Sequence, residues 1–212
     1  MKINQFTVNP FGENVYVVWN DITHNALVID PGMMTDDERD AITSFLNKNN
    51  LTVQMILLTH AHVDHAASAN WLSHATGAAI HASAKDNILA SHLQEQAQMF
   101  GLGITVSPLV DYTAVDEKSS LSFENNEIRV IETPGHTPGS VAFYFPTIGV
   151  LFVGDTIFQG SVGRTDLPGG DFKALTSSIK NKILKLPAQT QIQPGHGSHT
   201  TIATEIATNP YC

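Results

Sequence analysis

Six residues, His60-Ala61-His62-Val63-Asp64-His65, hold four groups able to bind a metal ion. They follow the apolar run Met55-Ile56-Leu57-Leu58, with Thr59 between. A short apolar run bounded by polar residues reads as a buried strand, so the cluster falls where a strand stops and the chain turns. Imidazole with carboxylate suits zinc or iron, whereas an all-oxygen set would suit magnesium or calcium. On this spacing His60 and His62 could serve one ion while Asp64 and His65 serve a second. The plain alternative is a solvated His/Asp loop, but packing accounts poorly for four such groups at a strand mouth.

The elements along the chain must position these groups. Ile3, Phe6 and Val8 roughly alternate with polar residues, and Asn9-Pro10-Phe11-Gly12 makes a turn. Val15 to Trp19 and Ala26 to Ile29 read as two more strands, giving an antiparallel meander that ends at Asp30-Pro31-Gly32. Thr35 with Glu38 forms a capping box ahead of a helical stripe of Ala41, Ile42, Phe45 and Leu46. Strand 53–58 delivers the histidines, and a helix from near Asp64 runs to about Ala75. Ala78-Ala79-Ile80 reads as a short strand, residues 84–99 as helical and 101–119 as irregular. Strands follow at Leu121 to Phe123, Ile128 to Ile131, Val141 to Phe145 and Val150 to Val153. A helix from Asp171 carries Phe172, Leu175, Ile179 and Ile183, and Ile192 marks a last strand. Strands then helix, twice over, predict an α/β chain of αββα type, two mixed sheets with helices on the outer faces.

At 212 residues the chain suits one domain, 1–212, with a core that needs no disulfides. The single cysteine, Cys212, offers neither a disulfide framework nor a cysteine metal cluster. A net charge of -9 argues against nucleic acid or an anionic membrane as partner. The N-terminus lacks an apolar signal core and no run approaches a membrane span, so a cytoplasmic protein is expected.

Three further candidates each follow an apolar strand. His136 comes after Val130-Ile131, Asp155 after Leu151-Phe152-Val153, and His196 after Ile192. Strand ends on one side of a sheet can converge. A lone turn histidine would be the favoured reading for His136 or His196 taken singly; three such sites behind the first cluster reverse that preference.

His60, His62, Asp64 and His65, then His136, Asp155 and His196, resemble the metallo-β-lactamase fold hydrolases in order and spacing. The likeness runs from Pro10-Phe11-Gly12-Glu13-Asn14 to Thr208-Asn209-Pro210. It is nearest to the short bacterial glyoxalase II type, through Met99-Phe100-Gly101, the loop from Phe158 to Asp171, and Pro194-Gly195-His196-Gly197. The resemblance implies that His60, His62 and His136 bind one divalent ion, zinc by preference, with iron or manganese as substitutes. Asp64, His65 and His196 would bind a second, and Asp155 would bridge both. Asp30 would orient a ligand imidazole, unless it only closes a strand with an Asp-Pro turn. Classical zinc β-lactamases place a cysteine ligand in the region of position 155, where this chain has aspartate.

Two such ions make hydroxide available at neutral pH and stabilise an anionic acyl transition state. Asp64 could additionally hydrogen-bond that hydroxide. A thiol with pKa about 8.5 leaves as thiolate with little help, whereas an amine needs a proton. No extra acid stands beside the metal set in the sequence, so a small-molecule thioester such as S-lactoylglutathione fits. Longer glyoxalase II enzymes append a helical domain that binds glutathione, and only 16 residues follow His196 here. Arg164 occupies a loop position where those enzymes carry a basic residue on the thiol; it could equally pair with Asp166. Phe100 and Leu102 could wall the cleft or belong to the core. His24, His74, His81, His92 and His199 read as surface or packing residues. The rival functions are a persulfide dioxygenase with one iron on His60, His136 and Asp155, a lactonase, and a non-catalytic metal-binding module.

Overall fold

The opening meander forms as the alternation requires. In the computed structural model, which describes residues 1–212, β1 (Lys2–Val8) pairs antiparallel with β2 (Glu13–Trp19), and β2 with β3 (Asn25–Ile29). Helix α1 (Asp36–Lys48) crosses over to β4 (Thr52–Leu57), parallel to β3 with Ile29 opposite Leu57. That register makes Asp30 and the Leu58-Thr59 segment leave the sheet side by side. Both bonds of the Thr35/Glu38 capping box are present. Glu38 also accepts from Asn9 N at 2.6 Å and Met34 N at 2.7 Å, which holds its carboxyl below its ordinary pKa against the opposing effect of burial.

Short helices α2 (Val63–Ala66) and α3 (Ala69–Thr76) follow, then β5 (Ala79–Ala82), α4 (Asn87–Ser91), α5 (Leu93–Met99) and β6 (Thr113–Ala114). The first sheet has the order β1-β2-β3-β4-β5-β6. Val15, Val17, Val28 and Ile56 pack with Ile42 and Leu72 in its core. Two expected helices are broken. The 64–75 helix divides at Ala67–Ser68, where Ser68 N bonds Pro31 O and Ser68 Oγ bonds Met33 O. The 84–99 helix comes as a 3-10 turn (Ala84–Asp86) plus α4 and α5.

The second sheet, in the order β14-β13-β10-β9-β8-β7, contains β7 (Leu121–Phe123), β8 (Asn126–Glu132), β9 (Val141–Phe145), β10 (Val150–Gly154), β13 (Gln191–Pro194) and β14 (Thr200–Thr201). Between β10 and β13 lie a small hairpin of β11 (Ile157–Phe158) and β12 (Ser161–Val162) and helix α6 (Phe172–Asn181); α7 (Ile202–Thr208) follows β14. Asp171 caps α6 by accepting from Ala174 N. Leu175, Ile179 and Ile183 pack with Leu151, Val153 and Ile192, while Phe172, expected in that stripe, is 51% exposed. Ile192 is not on the last strand. The two-residue β14 follows it, and Thr200-Thr201 carries no apolar signal by which to read it.

Each sheet is mixed, as the αββα expectation requires. Contacts divide the chain into two units, Met1–Ala82 with Asn87–Ala114, and Ser83–Asp86 with Val115–Cys212. No helix is long and apolar enough to cross a membrane.

We propose that residues 1–212 nevertheless unfold as one domain, because the chain passes from unit to unit at Ala82, Asp86 and Ala114. Thr35→Ala, which removes the N-cap, should cost about 1 kcal/mol. Ile42→Ala, at a fully buried site, should cost about 2–5 kcal/mol. Urea denaturation read by fluorescence and circular dichroism should show both variants shifting a single shared transition. Separate midpoints for the two probes would mean separate folding units.

Candidate metal centre

In the first unit the parallel exit of β3 and β4 builds the candidate ligand segment. Asp30 takes a left-handed φ of 51° and its carboxylate turns back on the neighbouring strand. Oδ1 accepts from Thr59 N at 2.7 Å and Oδ2 from Thr59 Oγ1 at 2.7 Å. Oδ2 also meets His65 Nδ1 at 3.0 Å. Thr59 Oγ1, its proton given to Asp30, accepts from His60 Nδ1 at 3.1 Å. A carboxylate only accepts, so these bonds put the ring protons of His65 and His60 on Nδ1 and leave Nε2 with its lone pair. His60, His62 and His65 are all buried. Their rings are close, with His60 centroids 4.9 Å from His62 and 4.1 Å from His65.

The backbone of this segment is held by amide side chains. Gln96 on α5 accepts from Val63 N at 3.0 Å and donates to Ala61 O at 3.3 Å. Asn9 Nδ2 donates to Gly32 O and Asp64 O, both at 2.9 Å. Gly32 is required by close approach: a Cβ there would stand 1.6 Å from Asp64 O and 2.5 Å from Glu13 Oε2. Glu13 is fully buried, with Oε1 3.9 Å from His65 Nδ1.

In the second unit the parallel pair β10 and β13 delivers two candidate ligands, Asp155 and His196, together. Gly195 N donates to Gly154 O at 2.8 Å, which ties the turns carrying Asp155 and His196. His196 Nε2 and His136 Nε2 each lie 3.5 Å from Asp155 Oδ2. His136 sits in the loop between β8 and β9, and its Nδ1 donates to Arg164 O at 2.7 Å. Its Nε2 therefore also presents a lone pair.

These donors fit a divalent ion. Imidazole nitrogens face a carboxylate oxygen at 3.5 Å around Asp155, and His65 Nε2 faces Asp64 Oδ2 at 3.8 Å. Such distances are too long for a charged hydrogen bond, which falls near 2.7–2.9 Å. They are close to the spacing of about 3.3–3.5 Å expected for two ligand atoms each about 2.0–2.2 Å from tetrahedral zinc.

Of the residues expected from sequence, His60, His62, Asp64, His65 and Asp30 thus form one set in the first unit, and His136, Asp155 and His196 another in the second. Asp30 contacts the imidazole of His65. Arg164 is exposed, and its Nε and Nη2 reach the two oxygens of Asp166 at 2.7 Å each. That bidentate pairing holds the Asp166 carboxyl down to about 2. Phe100 is 36% exposed, edge-on to Phe11, while Leu102 packs on the first core. His24, His74, His92 and His199 are exposed, and His81 is half-buried, its pKa lowered by burial. Sequence reading missed Asn9, Glu13, Thr59, Gln96 and Asp86 as supports; only Gln96, a polar residue between Leu93 and Ala97 on a buried face, left a signal.

Residues 8–196 match the metallo-beta-lactamase superfamily. The chain is 38% identical to the hydroxyacylglutathione hydrolase GloC of Haemophilus influenzae, over 100% of this chain and 98% of that one. It superposes on the BLEG-1 B3 metallo-beta-lactamase with a TM-score of 0.89 and 38% identity, covering 99% of each chain. The di-iron-bound form of TTHA1623 gives a TM-score of 0.87 and 36% identity over 99% of this chain and 100% of that one. Similarity that spans both units, and imidazole and carboxylate donors at the strand ends of each, lead to one assignment: the chain belongs to the metallo-β-lactamase superfamily of metal-dependent hydrolases.

Proposed function

We propose that this chain is a two-metal thioester hydrolase of the glyoxalase II type, acting on S-lactoylglutathione or a related 2-hydroxyacyl thioester. The observation that carries the reading is the single Asp155 oxygen 3.5 Å from the imidazole nitrogens of both His136 and His196. A carboxylate between two imidazoles suits a bridge between two ions. In this reading His60, His62 and His136 hold one ion, Asp64, His65 and His196 the second, and Asp155 contacts both. Zinc is the proposed ion; the same donors accept iron, which TTHA1623 holds as a pair.

Bound there, the ions would supply hydroxide near neutral pH and positive charge for an anionic transition state. The chain's own part is orientation. Asp30 and Thr59 fix the rings of His65 and His60, and Asp64, whose main role is ligation, would also accept a hydrogen bond from the nucleophile. A thiolate with pKa about 8.5 departs unprotonated, so the reaction asks no further acid of the chain. A β-lactam differs, since its amide nitrogen needs a proton to leave. Arg164 gives two of its five N–H groups to Asp166. The other three remain for a carboxylate of the thiol handle, with Asp166 setting the angle of the fork.

Purified chain freed of loose metal should retain two ions, measured by elemental analysis. Asp155→Ala should lose the bridge and most activity, while His74→Ala should change neither. One ion under saturating metal would count against the bridge.

Hydrolysis of S-lactoylglutathione should proceed at the same rate with and without oxygen, and faster than that of a chromogenic β-lactam. Oxygen-dependent conversion of glutathione persulfide to sulfite would replace this reading with a dioxygenase. Preference for the β-lactam would replace it with a lactamase.

Arg164→Ala should raise KM about tenfold with kcat nearly unchanged, the mark of binding lost equally from ground and transition states. A cycle with Asp166→Ala separates the roles. Strong coupling in thermal stability with KM unmoved would take Arg164 out of the substrate site.

A further inference from the structure

The loop that carries His136 has a second anchor, supplied by a distant part of the sequence. Thr133 N bonds Ser140 O at 2.8 Å and closes the loop. One side is held near α6, where Asp171 N donates to Gly135 O at 2.7 Å and Ser178 Oγ to Pro134 O at 2.8 Å. The other side is held by Asp86, whose carboxylate is 2% exposed. Asp86 Oδ2 accepts from Thr137 Oγ1 at 2.8 Å and Oδ1 from Gly139 N at 2.6 Å. Thr137 Oγ1 also meets Ser140 Oγ at 2.8 Å, and Thr137 N donates to that same oxygen at 3.1 Å. Position 139 must be glycine for this anchor, since a Cβ would lie 2.5 Å from Asp86 Cγ.

Asp86 belongs to the four-residue segment Ser83–Asp86, the only part of the chain before Val115 that lies in the second unit. A buried carboxylate is costly unless its bonds are made, and those bonds go to the residue after His136 and to the glycine two further on. The ring of His136 is fixed at Nδ1 by Arg164 O, but the placement of its Cα depends on this loop.

We propose that Asp86 is a positioning residue for His136: by clamping Thr137 and Gly139 it sets where the Nε2 lone pair points. The inference rests on the reading of His136 as a metal ligand. Geometry rather than charge is the mechanism. Asparagine can keep the clamp, its oxygen accepting from Gly139 N and its amide donating to Thr137 Oγ1, whose own proton then turns to Ser140. Alanine removes both bonds.

The test uses the full chain, stripped and reloaded with cobalt(II), with affinities from chelator competition and site geometry from the visible absorption spectrum. His136→Ala should lose one ion, which checks the underlying reading; if it keeps both at wild-type affinity, that reading fails and this inference with it. Asp86→Ala should weaken one ion on the order of 10- to 100-fold, the usual effect of removing a residue behind a ligand. The second ion should stay tight and the absorption bands should shift. Asp86→Asn should restore both affinity and spectrum. If Asp86→Ala does not fold, Thr137→Val removes one of the two links and should give a smaller loss of the same kind. Folded Asp86→Ala, or Thr137→Val in its place, with wild-type affinity for both ions would overturn the proposal. An Asp86→Asn variant as weak as alanine would also overturn it, by showing that charge and not the clamp matters.

Discussion

A neutral imidazole has one lone pair, and the nitrogen that carries it is decided by what the other nitrogen donates to. Much of the architecture around the histidines answers that constraint. His65 donates to Asp30, His60 to Thr59 and His136 to the carbonyl of Arg164. For Asp30 to reach both Thr59 and His65, β3 and β4 must be parallel and in the observed register, and Asp30 must take a left-handed backbone. For a main-chain carbonyl to reach His136, the loop following β12 must return to it. For His65 and His136 the partner accepts only, and for His60 the Thr59 hydroxyl is left as an acceptor because its own proton goes to Asp30.

Loops that carry ligands have a second difficulty, which is entropy. Fixing one residue's backbone costs roughly 1–2 kcal/mol, and the candidate ligand segment 60–65, whose only regular structure is the start of the one-turn α2, has few bonds of its own. Here side chains from elsewhere supply them. Gln96 and Asn9 hold the backbone of 61–64, and Asp86 holds the hydroxyl of Thr137 and the backbone N–H of Gly139. Each is an Asn, Gln or Asp whose side-chain oxygen or amide replaces the sheet partner that the backbone has left behind.

That division explains what the sequence reveals. The candidate metal ligands announce themselves because their types are rare and each of these follows an apolar strand: His60 after Leu58, Asp155 after Val153, His196 after Ile192. Strands and helices were legible where apolar periodicity was strong, as in α1 and β9. The supports were not. Asp86 is 53 residues from Gly139 along the chain, and nothing local marks it as buried. The broken helix over 84–99 has the same origin, because a helical apolar pattern cannot show that Asp86 is drawn away to a second unit. β14 was invisible because two threonines carry no hydrophobic alternation, and their pairing with β13 is set by the neighbour.

The acids behind His65 show which demand won. Glu13 and Asp30 are 0% and 2% exposed. The desolvation cost of a buried charge is several kcal/mol, and apolar residues of similar size in such places are often as stable or more so. Stability alone does not account for them. Their effect is visible on Tyr16, whose phenol is pushed far above its ordinary range, chiefly by burial and then by the charge of Glu13, with Asp30 adding to it. The same negative potential that opposes loss of a proton from Tyr16 favours positive charge beside His65. Asp30 then serves twice in the proposed site: its hydrogen bond turns the ring of His65, and its charge would make the far nitrogen of that ring a stronger electron-pair donor to an ion.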